Sequence, residues 1–210
     1  MLLTTAYFPP AEYFALLAKY SVVNIEAHEK YQKQSYRNRC RILTANGVED
    51  LRFPIVHGGS PLITDVEVDY KTPWVRQTEY AIDSAYFSSP FFEYYRDSLF
   101  EILDSSPRTL WELNGRLTDY FCSKIGIAPS LVPTESFAAP GEVPAGEDFR
   151  YSIHPKKPAV MRGPEYWQVF RERFGFVPGM SVMDLLFNEG PESLGYLLAY
   201  NLVADGGHQD

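Results

Sequence analysis

Residues 2–26, LLTTAYFPPAEYFALLAKYSVVNIE, read as a strand, a helix and a strand in immediate succession. Leu2 to Phe8 is a short apolar run that ends at Pro9-Pro10, since proline lacks the ladder amide and suits the first turn of a helix. Tyr13, Phe14, Leu16, Leu17 and Tyr20 then recur at helical spacing. Ser21 to Glu26 is β-branched and returns to strand character. Two strands joined by a helix pair in parallel. Open parallel sheets bind ligands beyond the carboxyl ends of their strands. Tyr7 and the Ala27-His28-Glu29 step fall at those two ends.

Working outward, residues 30–41 hold Lys30, Lys33, Arg37, Arg39 and Arg41 and no acid. The chain as a whole carries −8, so these five positive charges leave −13 on the remainder. Charge meant for solubility is spread out, whereas a concentrated patch is a local device for something small and anionic. The spacing predicts a loop to about Ser35 and a strand after it. On a strand, Lys33, Ser35, Arg37, Arg39 and Arg41 share one face. Asn46-Gly47 predicts a hairpin turn, with Leu51, Phe53 and Ile55 on the returning strand. Gly58-Gly59-Ser60-Pro61 reads as a loop, and Ile63 to Tyr70 as a further strand.

From Trp74 to about Ile125 the apolar period becomes helical. The three expected helices run from Trp74 to Tyr86, from after Ser89-Pro90 to Leu103, and from near Ser106-Pro107 to Gly126. Ser130 to Glu135 reads as one more strand. Residues 137–148, rich in Pro, Gly and Ala, read as a flexible connector. A helix follows at Met183 to Phe187 with Ser181 as its cap, and a last turn at Glu192 to Leu198. The expected fold is α/β: a mixed sheet with an N-terminal βαβ unit and an antiparallel hairpin, followed by a helical region. Residues 1–210 are expected to form a single domain.

Composition narrows the function. The acidic balance argues against general nucleic-acid binding, and no apolar run approaches the roughly 20 residues that span a bilayer. Met1 to Tyr7 does not read as a signal peptide, and Cys40 and Cys122 fit a reducing compartment, so a cytoplasmic protein is expected. The four histidines are scattered and no Cys/His cluster has metal spacing, so no metal site is expected and no cofactor is specified. Neither a Gly-rich phosphate loop nor a Gly-x-Ser-x-Gly elbow is present. The 15 tyrosines either fill the core or line a polar cleft.

Four blocks, in order along the chain, resemble the WbqC-like family of bacterial surface-polysaccharide loci. They are Tyr7-Phe8-Pro9-Pro10 with Tyr13-Phe14; Tyr31-x-Lys33-x-x-Tyr36-Arg37-Asn38-Arg39-x-Arg41-Ile42; Trp74 with Ala85-Tyr86 and Ser89-Pro90-Phe91-Phe92; and Ser181 to Pro191. The resemblance implies an α/β protein of O-antigen or capsule biosynthesis that transfers glycine or a related acyl group to an amino sugar. The sequence departs from the family pattern at Thr78, at Ala27-His28 and at Gly179.

The candidate substrate-binding residues are Lys33, Tyr36, Arg37 and Arg39, because guanidinium forks bind phosphate or carboxylate through paired hydrogen bonds. The expected ligand is an anionic small molecule, a nucleotide sugar or an acyl donor. His28, Tyr7 and Asn38 are the catalytic candidates. Histidine titrates near neutrality and suits a base toward an amine, and Tyr7 and Asn38 suit orienting an acceptor. His154 with Lys156 and Lys157 forms a second basic spot. Direct attack by the acceptor amine is favoured over an acyl-enzyme. The alternative is a non-catalytic ligand-binding or assembly subunit that partners polysaccharide-pathway enzymes.

Overall fold

The computed structural model describes residues 1–56, 58, 62–139, 141–144 and 146–203. Strand β1 (Leu2–Leu3), helix α1 (Ala11–Lys19) and strand β2 (Val22–Ile25) form the expected βαβ unit, with Leu2 opposite Asn24 in parallel register. Strand β5 (Ser130–Pro133) joins the other side of β2, also in parallel, and completes a three-stranded sheet in the order β1-β2-β5. Strands β3 (Arg39–Thr44) and β4 (Gly47–Arg52) make an antiparallel hairpin that is a sheet of its own.

Helices α2 (Trp74–Tyr86), α3 (Phe92–Asp104) and α4 (Leu110–Ile125) fill the stretch predicted to be helical. Helix α4 starts where Thr109 Oγ1 accepts from the Glu112 amide at 3.2 Å, and it ends at Gly126, whose φ of 85° is the left-handed cap glycine favours. Arg96 holds α3 to α2 by donating to both carboxylate oxygens of Asp83, at 2.6 and 2.8 Å. Beyond β5 come β6 (Met161–Arg162), a four-residue α5 (Arg171–Phe174), α6 (Val182–Glu189), α7 (Ser193–Leu198) and β7 (Asn201–Leu202), which pairs with β6. Ser181 caps α6 by accepting from the Met183 amide.

The two ends of the sequence meet across the start of α1. Ala11 N–H donates to Met180 C=O at 3.2 Å, Val182 N–H to Pro9 C=O at 2.9 Å, and Ser181 N–H to Arg41 C=O at 2.8 Å. One apolar cluster draws Phe8, Phe14, Ile42, Leu99, Phe121, Leu186 and Phe187 together from both halves.

Three expectations need correction. Strand β1 stops at Leu3 instead of Phe8, because Phe8 takes a φ of 42° to turn the chain into α1 and the Tyr7 amide donates to Tyr36 C=O, not to β2. Ile63 to Tyr70 is not a strand: Ile63–Asp65 is a 3₁₀ turn, followed by single bridges from Glu67 to Thr109 and from Val68 to Ile55. The hairpin turn is Ala45-Asn46, one residue earlier than expected, with Gly47 opening β4 at a φ of 107° opposite Thr44. Gly59, Ser60 and Pro61 of the expected loop, and Pro140 and Ala145 of the connector, lie outside the described residues. The described connector residues are tied to the sheet: Ala138 N–H donates to Glu26 at 3.3 Å, and Glu147 C=O accepts from the Leu2 amide at 2.7 Å. No helix among the described residues is long and apolar enough to cross a membrane.

Candidate functional site

The carboxyl ends of the parallel strands are organised by two buried acids, Glu26 and Glu29, on either side of His28. Glu26 Oε1 accepts from the His28 amide at 3.0 Å and from Thr134 Oγ1 at 2.8 Å, which joins the ends of β2 and β5. Glu26 Oε2 accepts from Arg150 Nη1 at 2.7 Å, and Asp148 takes the rest of that guanidinium through Nε and Nη2. Glu29 accepts from Arg37 Nε at 2.8 Å, from Arg37 Nη2 and from Thr4 Oγ1. Each carboxylate is thus neutralised by a buried arginine, and removing a charge from water requires such pairing. The turn carrying His28 is clamped at both ends.

Two clefts open beside this turn. The first, of about 440 Å³, is lined by His28, Lys30, Tyr31, Gln32, Phe137 and Tyr151, with Glu29 at its base. Phe137 and Tyr151 both lie against the Arg150 guanidinium, 5.4 Å from each ring centre, so the buried cation holds two partly exposed aromatic rings in place. The second, of about 420 Å³, is lined by Tyr31, Lys33, Asn38, Arg52, Thr72, Trp74 and Gln77. Tyr31 therefore belongs to both. Its hydroxyl donates to Asn38 Oδ1 at 2.8 Å, and Asn38 Nδ2 donates to Phe53 C=O at 2.8 Å, which fixes the partition. Burial raises the Tyr31 pKa against the opposing pull of the Arg39 and Arg37 charges.

The structure sorts the predicted site residues. His28, Lys33 and Asn38 line these clefts. Arg37 does not: it is 1% exposed, and Glu29 and Gln32 take its Nε, Nη1 and Nη2. Its backbone carbonyl is held by Asn114 of α4 at 2.9 Å. Only Arg39 and Arg41 of the predicted five-residue face lie on the strand; Ser35 and Arg37 precede it and are buried. Arg39 Nη1 donates to Asp50 at 3.0 Å, while its Nε is buried without a partner among the described residues. Tyr36 is buried, which pushes its hydroxyl up to about 12. Tyr7 is fully buried against Phe8 and Phe53, well away from any acceptor in solution.

The second basic spot comes to rest beside the first. Arg41 Nη2 donates to Pro155 C=O at 2.6 Å and Lys156 Nζ to Gln34 Oε1. Burial lowers the His154 pKa, and Lys157, Arg37, Lys156 and Arg39 push it the same way. Among the described residues no group of three or more His, Cys, Asp and Glu is placed to hold a metal. Sequence reasoning missed the roles of Glu26, Arg52, Phe137, Arg150 and Tyr151. For Arg150 a signal existed, since Asp148 and Arg150 flank the connector, but its partner Glu26 is 124 residues away.

Fold and site together describe a small α/β protein with one cleft beyond the carboxyl end of a parallel sheet and a second beside it, against the hairpin and α2. The WbqC-like protein family matches residues 5–145, and the chain belongs to that family. The chain is also similar to the uncharacterized protein Rv1507c of Mycobacterium tuberculosis, at 27% identity over 221 residues, covering 91% of this chain and 94% of that protein. No solved structure matches. The family match ends before Arg150 and Tyr151, so one aromatic wall of the first cleft comes from sequence beyond it.

Proposed function

We propose that this protein is a cytoplasmic transferase that places a glycyl or related acyl group on an amino-sugar precursor of bacterial surface polysaccharide. The observation that carries the reading is the sharing of Tyr31 by two clefts of similar size, about 440 and 420 Å³. Two substrates bound on either side of one side chain meet without diffusing, which is what direct transfer in a ternary complex requires. The acceptor sugar lies in the first cleft between Phe137 and Tyr151, since aromatic rings pack on the apolar faces of sugars while polar neighbours take the hydroxyls. The anionic donor lies in the second, against Lys33.

His28 takes a proton from the acceptor amine as nitrogen attacks the donor carbonyl. The carbon–nitrogen bond forms, the bond to the leaving group breaks, and the leaving group departs with its electron pair. An acyl-enzyme on cysteine is disfavoured. Cys40 and Cys122 are buried, and burial raises both thiols, Cys122 to about 12. Arg37 acts on this reading as a strut beneath Glu29. Screening nucleotide-linked amino sugars by thermal shift, followed by acyl transfer to any that bind, tests the proposal. No ligand response, or one that Tyr31→Phe and Tyr151→Ser leave unchanged, counts against it.

A second reading, a binding or assembly subunit for polysaccharide-pathway enzymes, is favoured by three exposed aromatics. Tyr80 lies on α2, Phe87 directly follows its end, and Tyr94 lies on α3; they are 74, 74 and 78% exposed. Aromatic rings are enriched at protein interfaces. Gel filtration with the enzymes encoded beside it, comparing Tyr80→Ser/Phe87→Ser, separates the two.

A further inference from the structure

We infer that the second cleft is a diphosphate site, taking the pyrophosphoryl group of an acyl donor carried on a nucleoside diphosphate and not a simple carboxylate. This rests on the reading of that cleft as the donor side and names what it holds. The first support is charge. Its lining includes Lys33 and Arg52 and no acid, on a chain whose formal charge is −8. Both cations are exposed, and neither forms an ion pair among the described residues. Free cations lining one concave surface concentrate field there, which draws in a compact anion.

The hairpin register supplies the second support. Arg52 lies directly opposite Arg39, and like charges at such positions repel. Asp50, the one carboxylate on that face of the hairpin, is taken by Arg39 at 3.0 Å and Arg41 at 3.5 Å. Two guanidinium groups thus share this acid, Arg52 is left with none, and among the described residues Arg39 Nε is buried without a partner. A carboxylate would balance only one of the excess charges. A diphosphate carries two or three, and its oxygens accept from arginine in paired bonds.

The neutral lining completes the argument. Thr72 and Gln77 are exposed, and their side chains make no hydrogen bonds among the described residues, so both remain free to donate to phosphate oxygens. Trp74 offers no open ring face, since Phe53 and Tyr70 lie 5.4 and 5.6 Å from it. Recognition here therefore falls on the phosphates more than on a stacked base.

The test is calorimetric titration of the full chain at low salt with inorganic pyrophosphate, uridine diphosphate and acetate. Expected are saturable binding of pyrophosphate and uridine diphosphate with affinities within about tenfold of each other, and none of acetate. Arg52→Gln and Lys33→Gln each weaken binding at least tenfold, while Arg162→Gln, elsewhere on the surface, leaves it unchanged. Circular dichroism of these surface variants confirms that they fold. No pyrophosphate binding, binding indifferent to both substitutions, or equal binding of acetate overturns the assignment. Pyrophosphate binding without acyl transfer to any amino sugar would remove the transferase reading and leave this site standing. Transfer that pyrophosphate fails to inhibit would do the reverse.

Discussion

Glu29 and Arg37 face each other beneath the His28 turn, both closed to water, with Arg37 Nε donating to Glu29 Oε1 at 2.8 Å. A buried pair of this kind adds little net stability over a well-packed apolar pair, but losing one partner strands the other charge. Arg37→Met and Glu29→Leu should therefore each cost about 3–5 kcal/mol, and the double variant should recover much of it. Urea unfolding of the four proteins checks this. Additive losses in the double variant would refute the coupling.

His28 is half-buried in the first cleft, and only its backbone is tied down by Glu26. His28→Gln should therefore leave the melting temperature nearly unchanged while lowering the transfer rate by about 10²- to 10⁴-fold, the usual range for a lost general base. A steady-state assay beside a thermal melt would show the split.

Asp184 is buried at the start of α6, where its Oδ2 accepts from Tyr166 at 2.8 Å and Gln168 at 2.7 Å. Burial pushes its pKa up to about 6, against the opposing pull of those hydrogen bonds. The folded chain binds this proton more tightly than the unfolded chain. The contribution is thus fully present below pH of about 4, the ordinary carboxyl value, and is lost as pH rises to about 6. Ionising the group costs about 3 kcal/mol. Asp184→Asn should flatten the dependence of stability on pH in that window, as read by denaturant midpoints at pH 4, 5, 6 and 7.

Gly190 follows α6 at a φ of 53°, and a β-carbon there would sit 2.6 Å from the Phe91 ring. Gly190→Ala meets both backbone strain and overlap with a packed ring, so a loss of about 2–4 kcal/mol is expected. Pairing it with Phe91→Ala should relieve the overlap but not the strain, and thermal unfolding measures the remainder.

Both thiols are buried with raised pKa values. A thiol-reactive dye should label neither in the native state within minutes and both in denaturant.

What the sequence makes legible follows from where the information lies. The limits of α2 and α3 can be read because Pro73 and Pro90 precede them and apolar residues recur every three or four positions within them. Alternation misleads at Ile63 to Tyr70, where Ile63, Val66 and Val68 are buried from a turn and two bridges instead of a continuous ladder. At the site, His28, Lys33 and Asn38 can be picked out by residue type and position. The fate of Arg37 cannot, because an arginine is a ligand fork or a strut according to whether an acid folds over it. Arg52 enters its cleft only through pairing with Arg39, and Tyr151 only through a fold-back of the chain beyond β5.

The clasp of Pro9 and Ala11 onto Val182 and Met180 has a consequence for biosynthesis. The opening helix cannot be fully covered until some 170 residues more have left the ribosome, on the order of ten to thirty seconds at ordinary translation speeds. Through that interval Phe14 can already pack on Phe121, but the side of the helix that will meet α6 and α7 stays open, an apolar surface prone to off-pathway association.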